Sequence, residues 1–308
     1  MIVVSGENVA DLLPAGPGSD QLRIVLGGGP ANTAMAVAGL GAAVSFAARF
    51  GSDAFAQSFR GRLDAAGVDL GHAVNVAAPS ALALATIDAT GAASYDFWLE
   101  GAADFAATDL PAAGRGDIQH LGSLAAYWPP GADAAERWIA ESPATVTLDV
   151  NLRPVVLERQ SDAVGRLERL VRRADVVKAS DDDLRMAYPN IDPEATARTW
   201  LGFEDSRTSL VVVTLGADGA LGLTRDGRRV HVPAPKIDVA DTIGAGDAAM
   251  GALLTKLAAN ANGVAGVCGE LVETLRFIVA VAALACTKAG AYAPSADEVE
   301  RFAEGLAR

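Results

Sequence analysis

The segment Asp241–Asp247, of sequence DTIGAGD, holds the residue types of this chain that are best suited to chemistry. The small and apolar residues after it predict a helix over Ala248–Ala259. The free N–H groups at the start of such a helix converge with the positive end of its dipole, and together they can hold an anion. Because Gly244 and Gly246 carry no Cβ, the backbone here can approach a ligand closely. We therefore predict an anion-binding turn at this position.

Asp247 stands directly after that glycine turn, and its position permits two interpretations. An aspartate at the start of a helix is commonly a cap, whose carboxylate accepts backbone N–H groups. A carboxylate beside a bound phosphoryl group is also what transfer to a hydroxyl requires, because it accepts the alcohol proton while backbone donors take up charge. The local sequence leaves both interpretations open.

A second glycine-rich segment, Gly27–Ala34 of sequence GGGPANTA, suits a neutral ligand. Its glycines bring bare backbone to a helix predicted to begin at Pro30, and Asn32 offers a donor and an acceptor from the first turn. Asp11 lies soon after the first predicted strand, where ligand-binding residues gather in open α/β sheets. These groups could hold the hydroxyls of a polyol. The alternatives are a tight loop with an Asn cap and a solvated loop aspartate.

Polar clusters follow three further predicted strands, in the segments Asp149–Pro154, Lys178–Asp183 and Thr214–Gly219. Each could be an ordinary turn, and the aspartates at 181–183 could be a solvated helix cap. The carboxyl ends of parallel strands meet at one edge of a sheet, however, and ligands bind at that edge in α/β proteins. We therefore expect the three clusters to face the same ligand-binding edge.

Several well-defined motifs are absent from the sequence. There is no G-x-x-x-x-G-K-[ST] segment, which excludes a P-loop enzyme, and Gly27–Pro30 does not match the dinucleotide-binding G-x-G-x-x-G spacing. There is no G-x-S-x-G nucleophile elbow. The three histidines, His72, His120 and His231, lie far apart in sequence, so nothing supports a histidine metal site.

Short β-forming runs alternate with alanine-rich helical stretches along the chain. The predicted strands are Ile2–Ser5, Val44–Ala48, Ala83–Asp88, Ser94–Trp98, Ile118–Leu121, Thr145–Asp149, Val176–Lys178, Leu210–Thr214, Gly219–Thr224 and Arg229–Val232. The predicted helices are Pro30–Leu40, Ala54–Ala66, Asp133–Glu141, Ala163–Arg173, Asp181–Met186, Glu194–Trp200, Ala248–Ala259 and Leu271–Lys288. Several strands are continuously apolar, as strands covered on both faces are, and the alternation indicates βαβ units. The pattern predicts an α/β fold with an open, largely parallel sheet between helices.

The region from Ala73 to Asp104 breaks this alternation. It carries the strand-like runs Ala83–Asp88 and Ser94–Trp98, with a turn sequence at 89–92 and no helix between them. This pattern predicts a hairpin standing off the main sheet, which the segment Leu12–Arg23 could join. A flap over the site and an ordinary surface hairpin are both consistent with the pattern.

Composition narrows the class of protein. The 308 residues include 25 Lys+Arg and 38 Asp+Glu, a formal net charge of −13, and 51% are apolar, too many for a disordered chain. No Lys/Arg cluster could build the basic face that nucleic acid requires.

The longest apolar run, Phe277–Cys286, is too short to cross a membrane, and the N-terminus does not resemble a signal peptide. Cys268 and Cys286 lie in apolar helical sequence, so we expect small buried side chains and a cytoplasmic protein.

In their order along the chain, the motifs resemble those of the ribokinase-like (PfkB) family of sugar kinases, and the resemblance covers essentially the whole chain. Gly27–Ala34 resembles the family's N-terminal signature, and Asp241–Asp247 resembles its highly specific C-terminal signature, D-T-x-G-A-G-D. Asp149–Pro154 and Thr214–Gly219 match intermediate blocks. The closest similarity within the family is to fructokinase-like members, on the segments Ser94–Trp98 and Gly122–Leu124.

The resemblance implies ATP-dependent phosphorylation of a sugar hydroxymethyl group. Fructose is the leading candidate, and ribose, ketodeoxygluconate and a nucleoside are the alternatives. It further implies a Rossmann-like three-layer α/β/α sandwich with a mostly parallel central sheet, as a single domain over residues 1–308. A small β lid would be formed by about residues 12–23 and 73–104.

The resemblance also implies roles for particular residues. Asp247 would be the general base, and the amides of Gly244, Ala245 and Gly246 the anion hole. Sugar would be bound by Asp11, Gly28, Asn32 and Trp98. The nucleotide site would be lined by Asn151, Arg153, Lys178, Thr214, Gly216 and Gly219. Mg²⁺ would be held mostly through water near Asn151 and Asp183, and a monovalent cation such as K⁺ near Asp241, Ile243 and the loop at Ala285–Ser295.

Two departures from the family pattern affect these expectations. The usual N-x-x-E motif is replaced by Ser180–Asp183, so a hydroxyl and a shorter carboxylate stand where an amide and a glutamate are usual. Asp104 is followed by Phe105, where many fructokinases place an arginine, which removes a guanidinium contact to substrate.

Three functions are weighed on these grounds. A sugar kinase is favoured by the joint presence of both signatures. The net negative charge does not forbid ATP binding, because surface charges farther away than the Debye length of about 8 Å are largely screened. A non-catalytic sugar or nucleotide sensor would not need Asp247, and a nicotinamide oxidoreductase would need the missing dinucleotide motif.

The predicted hairpin would close over the site and exclude water. Alternatively, exposed apolar residues at Phe97, Trp98 and Leu99 would form a homodimer through the lid.

Overall fold

The strands of the protein fall into two separate sheets, which a computed structural model describes over residues 1–16, 19–87 and 93–306. In chain order the strands are β1 (Ile2–Gly6), β2 (Val9–Pro14), β3 (Leu22–Gly27), β4 (Val44–Phe50), β5 (Val74–Asn75), β6 (Ala81–Ile87), β7 (Ala93–Trp98), β8 (Ile118–Gly122), β9 (Thr145–Asp149), β10 (Val176–Ser180), β11 (Leu210–Thr214), β12 (Ala220–Thr224) and β13 (Arg229–Val232). The helices are α1 (Gly29–Gly39), α2 (Ala54–Ala65), α3 (Gly131–Ala140), α4 (Pro154–Arg159), α5 (Ala163–Arg173), α6 (Asp181–Ala187), α7 (Pro193–Leu201), α8 (Ala245–Ala259), α9 (Gly263–Gly269), α10 (Leu271–Cys286) and α11 (Ala296–Leu306).

The central sheet has nine strands in the order β13-β12-β11-β10-β9-β8-β1-β4-β5. All neighbours from β11 to β5 are parallel, and β12 and β13 add antiparallel strands at one edge. Consecutive residues of β11 alternate between two hydrophobic cores: Val212 packs in the core with α1, α8 and α10, and Val211 in the core with α3, α5 and α7. Helices therefore cover both faces of the sheet, which explains the continuously apolar strands and confirms the three-layer α/β/α prediction.

Most predicted elements are confirmed within a few residues, and the missed ones are short or atypical. The helices α4, α9 and α11 were not predicted, nor were the strands β2, β3 and β5. The segment that contains β2 holds Pro14 and several glycines, which are turn signals in sequence. Its strand pairing comes from tertiary contacts with β3 and β6 instead of from local propensity.

The second sheet, which we call the small sheet, has the strand order β3-β2-β6-β7. It confirms the hairpin of β6 and β7 and the prediction that the segment after β1 joins it. Its bounds differ from the expected ones, because pairing begins at Val9 and extends to Gly27, while Val74 and Asn75 pair with β4 of the central sheet instead. The expected turn at 89–92 lies outside the described residues.

Strand register assigns the residues of the small sheet to two faces. Asp11 is paired with Ala83 and Ala83 with Phe97, so these residues share one face. The adjacent residues form the other face, the outer face, in which Leu12 is paired with both Ile24 and Leu84, and Leu82 with Trp98. Side chains alternate along a strand, so Trp98 lies on the face opposite to Asp11. Leu99 is fully buried, and the expectation that it is exposed is wrong.

Asp104 forms hydrogen bonds with the two points at which the chain enters the small sheet. Its buried carboxylate accepts the backbone N–H of Asn8 at 2.8 Å through Oδ1 and that of Ala81 at 3.1 Å through Oδ2. Asn8 precedes β2 and Ala81 begins β6, so one carboxylate holds the two neighbouring points at which the chain enters this sheet. Burial raises the pKa of Asp104 to about 6, while the hydrogen bonds from Asn8 and Ala81 oppose this rise.

Among the described residues no helix is long and apolar enough to span a membrane. Cys268 and Cys286 are both free thiols, and each is half-buried.

The contacts of Asp104 predict a large stability effect. Asp104→Ala leaves two buried backbone N–H groups without an acceptor, so the free energy of unfolding falls by about 2–5 kcal/mol. Urea denaturation measures this loss, and Asp109→Ala at an exposed aspartate of the same loop is the control. Equal stability of the two variants would show that Asp104 does not anchor the sheet.

Candidate active site

The predicted polar clusters meet at the carboxyl edge of the central sheet, where α1 and α8 also begin. Asn151 follows β9, and its Nδ2 lies 3.5 Å from Oδ1 of Asp247 at the start of α8. Asn32, in the first turn of α1, donates from Nδ2 to Oδ2 of Asp247 at 2.8 Å. Three segments that are far apart in sequence are thus brought together around one carboxylate.

Asp247 does not cap its own helix. Gly244 is the N-cap of α8, with a left-handed φ of 79° and no side-chain capping bond, and the carboxylate of Asp247 turns instead to the amides of Asn32 and Asn151. The side chain is 8% exposed. Burial raises the pKa of Asp247, and this rise is opposed by the Asn32 hydrogen bond and by the charges of Arg153, Lys178 and Arg62. A buried carboxylate without a capping role is suited to accept a proton.

Glycines allow the backbone to pack closely around this carboxylate. A Cβ on Gly29 would lie 2.5 Å from Nδ2 of Asn151 and 3.2 Å from Oδ1 of Asp247. Gly28 has a φ of 108°, and a Cβ there would lie 2.5 Å from the carbonyl oxygen of Glu7. At Gly244 a Cβ would lie 2.7 Å from that of Ala291. Glycine is therefore required at these three positions by close approach or by backbone conformation.

Asp11 belongs to the small sheet, and it faces the site. Burial raises the pKa of Asp11 to about 6, and the positive charge of Arg153 opposes this rise. A Cβ on Gly27 would lie 2.6 Å from Oδ2 of Asp11, so this carboxylate also lies close to the glycine segment. Trp98, in contrast, is 53% exposed on the outer face, and the structure does not bring it to Asp11.

Lys178 lies beneath the helix start instead of at the surface. Its Nζ donates to Oδ1 of Asp149 at 2.8 Å, both side chains are almost wholly buried, and the Nζ would be 3.7 Å from a Cβ on Gly246. Burial alone would lower the pKa of Lys178, but the carboxylates of Asp149, Asp183 and Asp247 raise it. Lys178 therefore places a buried positive charge directly behind the predicted anion hole. Burial and this charge lower the pKa of the nearby His120 to about 3, so that imidazole is neutral.

Asp183 uses both carboxylate oxygens in backbone hydrogen bonds. Its Oδ2 accepts the N–H of Ser180 at 2.7 Å in a capping box at the start of α6, and its Oδ1 accepts the N–H of Leu152 at 2.8 Å. The second bond joins α6 to the segment of Asn151, which has a left-handed φ of 37°. Asp183 thus positions the Asn151 segment. No group of three or more His, Cys, Asp or Glu side chains in the described ranges is arranged to hold a metal ion.

The other predicted nucleotide and cation residues lie at neighbouring points of this edge. Thr214 ends β11, and Gly216 and Gly219 have φ values of 55° and 95° in the turn that follows. Asp241 accepts the N–H of Ile243 at 3.0 Å and that of Gly290 at 2.8 Å. These bonds lower the pKa of Asp241, and they join the DTIGAGD segment to the loop after α10. Arg153 is exposed at the start of α4.

Sequence reasoning missed three residues of this region, Glu7, Ser123 and Arg62. Glu7 follows β1 and is 1% exposed, and its Oε2 accepts the N–H of Ala125 at 2.9 Å. Ser123 has a φ of 58° directly after β8, a conformation that is strained for a non-glycine residue. A charged residue directly after the first strand was a detectable signal for Glu7. Ser123 lay in the fructokinase-like segment Gly122–Leu124 without a predicted role, and no local pattern marked Arg62.

Glu7 makes the stability of the protein depend on pH. Burial raises the pKa of Glu7 to about 7, against hydrogen bonds from Ser123 and Ala125. Its folded-state pKa lies above the unfolded value of 4.5, so its contribution to stability is present below pH 4.5 and is lost as the pH rises to 7. Glu7→Gln removes this dependence. Between pH 4.5 and 7, wild type should therefore lose about 3 kcal/mol of its free energy of unfolding relative to Glu7→Gln.

Urea unfolding at pH 4.5, 5.5 and 7 measures this difference. Glu141→Gln, at an exposed position after α3, should leave the difference flat with pH. A flat difference for Glu7→Gln as well would show that Glu7 ionises normally in the folded protein.

Known proteins are similar to this chain over most of its length. The pfkB family carbohydrate kinase profile matches residues 1–298. A fructokinase from Rhizobium leguminosarum bv. trifolii is 32% identical over 264 residues, covering 83% of this chain and 79% of the relative. Fructokinase-1 from Oryza sativa subsp. japonica is 30% identical over 315 residues, covering 97% and 96%.

Solved structures agree with these matches. Fructokinase with bound ATP from Xylella fastidiosa superposes with a TM-score of 0.87 at 29% identity, covering 100% of this chain and 99% of the other. Fructokinase from Vibrio cholerae O395 in fructose, ADP and calcium ion bound form gives 0.86 at 29% identity and 98% coverage of both chains. Aminoimidazole riboside kinase from Salmonella enterica, complexed with aminoimidazole riboside and an ATP analog, gives 0.83 at 28% identity, covering 98% and 99%. The match over nearly the whole chain, together with the two signature segments meeting at Asp247, shows that this protein belongs to the pfkB family of carbohydrate kinases.

Proposed function

We propose that this kinase transfers the γ-phosphoryl group of ATP to a hydroxymethyl group of fructose. The observation that carries the proposal is the buried carboxylate of Asp247, held between two side-chain amides at the start of α8 and directly after a glycine turn. A base and an anion-binding turn at adjacent residues are what phosphoryl transfer to an alcohol needs.

Asp247 is the general base in this proposal. The sugar hydroxyl gives its proton to a carboxylate oxygen as its own oxygen forms a bond to the γ-phosphorus. The bond from that phosphorus to the β,γ-bridging oxygen breaks, and the products are a sugar phosphate and ADP. Oδ2 accepts the short bond from Asn32 at 2.8 Å, whereas Oδ1 has only the longer contact with Asn151 at 3.5 Å, so Oδ1 is the proton acceptor.

The amides of Gly244, Ala245 and Gly246 take up charge on the migrating phosphoryl group. Gly244 is the N-cap of α8, and Ala245 and Gly246 are the first residues of this 15-residue helix, so their N–H groups have no acceptor within it and the helix dipole adds to their field. The N–H of Ala245 also donates to the carbonyl oxygen of Thr242 at 3.2 Å. The buried ammonium of Lys178 strengthens this field from behind, next to Gly246. Its bond to Asp149 holds it there, so it acts on the phosphates through the anion hole.

The sugar would lie between α1 and the small sheet. Asp11, Asn32 and the bare backbone at Gly28 supply carboxylate, amide and peptide groups for its hydroxyls. Fructose is favoured by the fructokinase relatives and by a neighbour whose structure holds fructose and ADP. A riboside is the second candidate, because a neighbour of similar fold holds aminoimidazole riboside.

ATP would extend from the start of α8 toward Thr214, Gly216 and Gly219, with Asn151 and Arg153 near its phosphates. Mg²⁺ fits this edge as a metal held mainly by the phosphates and by water, since both oxygens of Asp183 already accept backbone N–H groups. It would neutralise phosphate charge when bound. A monovalent cation such as K⁺ is proposed at the loop of Asp241 and Ile243, next to Ala285–Ser295.

The small sheet would act as a lid over this site. It carries Asp11 on the face turned to Arg153, and Asp104 secures its two entrances. Closure around a bound sugar would exclude water, which otherwise competes with the sugar for the phosphoryl group. The two free thiols support a reducing, cytoplasmic location.

An assay of ATP consumption across sugars tests the activity. Wild type should turn over fructose faster than ribose, ketodeoxygluconate or nucleosides. Asp247→Asn should lower kcat by about 10²–10⁴-fold because the base is lost, while calorimetry shows unchanged nucleotide binding. Asp297→Asn, an exposed aspartate in the first turn of α11, is the matched control. Sugar binding without ATP consumption by wild type would favour a sensor, and unchanged turnover in Asp247→Asn would remove the base from the mechanism.

We further propose that a second copy of this chain covers the outer face of the lid. Leu22, Ile24 and Trp98 lie on that face with exposures of 48%, 55% and 53%, and Leu12 and Leu84 lie between them, with the exposed Asp96 paired to Leu84. A sheet face this apolar is unusual on the surface of a monomer. The same face on a partner offers a self-complementary surface for a symmetric dimer.

Sedimentation analysis tests this association. Wild type should sediment as a dimer at micromolar concentration, and Ile24→Glu should be a monomer because it buries an unpaired charge in the interface. Ile191→Glu, at a 47% exposed isoleucine outside the lid, should remain dimeric. A monomeric wild type would refute the proposed interface.

A further inference from the structure

Arg62 reaches into the site from the last turn of α2, and it has no part in the mechanism above. Its guanidinium donates from Nη1 to the carbonyl oxygen of Leu26, near the end of β3. From Nη2 it donates to Oδ1 of Asn32 at 3.4 Å and to the carbonyl oxygen of Ala291 at 3.5 Å. One side chain thus contacts the lid, the first turn of α1 and the loop after α10.

These acceptors are all neutral oxygens. Within the described ranges, Arg62 is not among the arginines that form an ion pair with a carboxylate at 4.0 Å or less. The side chain is half-buried, and burial lowers the pKa of Arg62 while the charge of Asp247 opposes this change. A half-buried guanidinium without a carboxylate partner is poorly compensated, so stability alone does not explain its position.

The contact with Asn32 determines which way that amide faces. The Oδ1 of Asn32 points to the cation of Arg62, and its Nδ2 points to the carboxylate of Asp247. The flipped amide would set its oxygen against a carboxylate and its NH₂ group against a guanidinium, which are both repulsive. Arg62 and Asp247 together therefore select one orientation of the amide.

That orientation matters for the proposed reaction. With Nδ2 donating to Oδ2 at 2.8 Å, the carboxylate of Asp247 is held by a short bond at that oxygen, and Oδ1, which has only the 3.5 Å contact with Asn151, stays near Gly29. Without Arg62, only one side of the Asn32 amide would be held by a charged group. The amide could then rotate, and both the sugar contact and the position of the base would loosen.

We propose that Arg62 is a positioning residue that ties the lid strand β3 and the loop Thr287–Ser295 to Asn32, and so sets the geometry of the base. This proposal rests on the proposed kinase reaction for its effect on catalysis. The tie itself is a structural feature, which can be measured without substrate. The guanidinium of Arg62 is thus one donor group for a lid strand, for a loop and for the proposed sugar-binding amide of Asn32.

The experiment compares Arg62→Met, Arg62→Lys and a matched control, Arg60→Met. Arg60 lies on the same helix, where it donates to Asn75 at 2.6 Å and stacks on Phe50 at 4.2 Å, away from Asn32. Hydrogen–deuterium exchange of the full chain, without ligands, is followed in the segments 22–27 and 287–295. Steady-state kinetics with fructose and ATP are measured in parallel.

Arg62→Met should raise exchange in both segments about tenfold, because a charged donor to two carbonyl oxygens is lost. It should also lower kcat and raise the KM for fructose, each about tenfold, with an unchanged KM for ATP. Arg62→Lys keeps a charged donor near Asn32 and should recover most of kcat. Arg60→Met should match wild type in both segments and in both KM values.

Unchanged exchange in either segment of Arg62→Met overturns the tie, and an unchanged KM for fructose overturns the positioning role. General destabilisation would reduce only the active fraction, so it would lower kcat and leave both KM values unchanged. If wild type phosphorylates no sugar, the proposed function fails, and the exchange measurement still decides whether Arg62 joins the two segments.

Discussion

The arrangement of this protein depends on burying one carboxylate, that of Asp247, without giving it a direct ionic partner. Such burial favours the neutral acid, and the proposed role as proton acceptor would require an ionised carboxylate. The ionised form is favoured by a short bond from Asn32 and by the positive charges of Arg153, Lys178 and Arg62. None of these three charged side chains forms a salt bridge with Asp247, which leaves its carboxylate available for the proposed proton transfer.

Other buried carboxylates hold in place the groups that surround Asp247. Lys178 is held by Asp149, and the segment of Asn151 by Asp183 through the N–H of Leu152. These carboxylates lie at the ends of neighbouring parallel strands, where side chains from successive βα turns converge on one edge. A change in one of them would reach the site through the group that it holds.

The small sheet is joined to the central sheet by a shared hydrophobic core as well as by polar contacts, since Val9, Ala81 and Ala83 lie in the same core as Val211. Asp104 secures its entrances at Asn8 and Ala81, and Arg62 contacts the end of β3 at Leu26. The outer face, in contrast, leaves Leu22, Ile24 and Trp98 exposed.

The sequence by itself determined the α/β class, most strands and helices, and the segments that carry the chemistry. These features are encoded locally: continuously apolar strands such as β11, a glycine turn before α8, and polar residues where strands end. It did not reveal β2 and β3, because the segment between Val9 and Gly27 contains turn-forming residues and gains strand structure only by pairing. It also could not tell which side of the lid Trp98 would face, since a shift of one residue in register reverses the faces.

Only the tertiary structure decided that the carboxylate of Asp247 does not cap its own helix. A capping and a non-capping aspartate can have the same local sequence, and the difference lies in contacts with Asn32 and Asn151, residues 215 and 96 positions away along the chain. Arg62 was hidden for the same reason, because its three acceptors come from three separate segments. Local propensity and periodicity report on neighbours within a few residues, whereas the electrostatic surroundings of a buried group are set by whichever elements the fold packs against it.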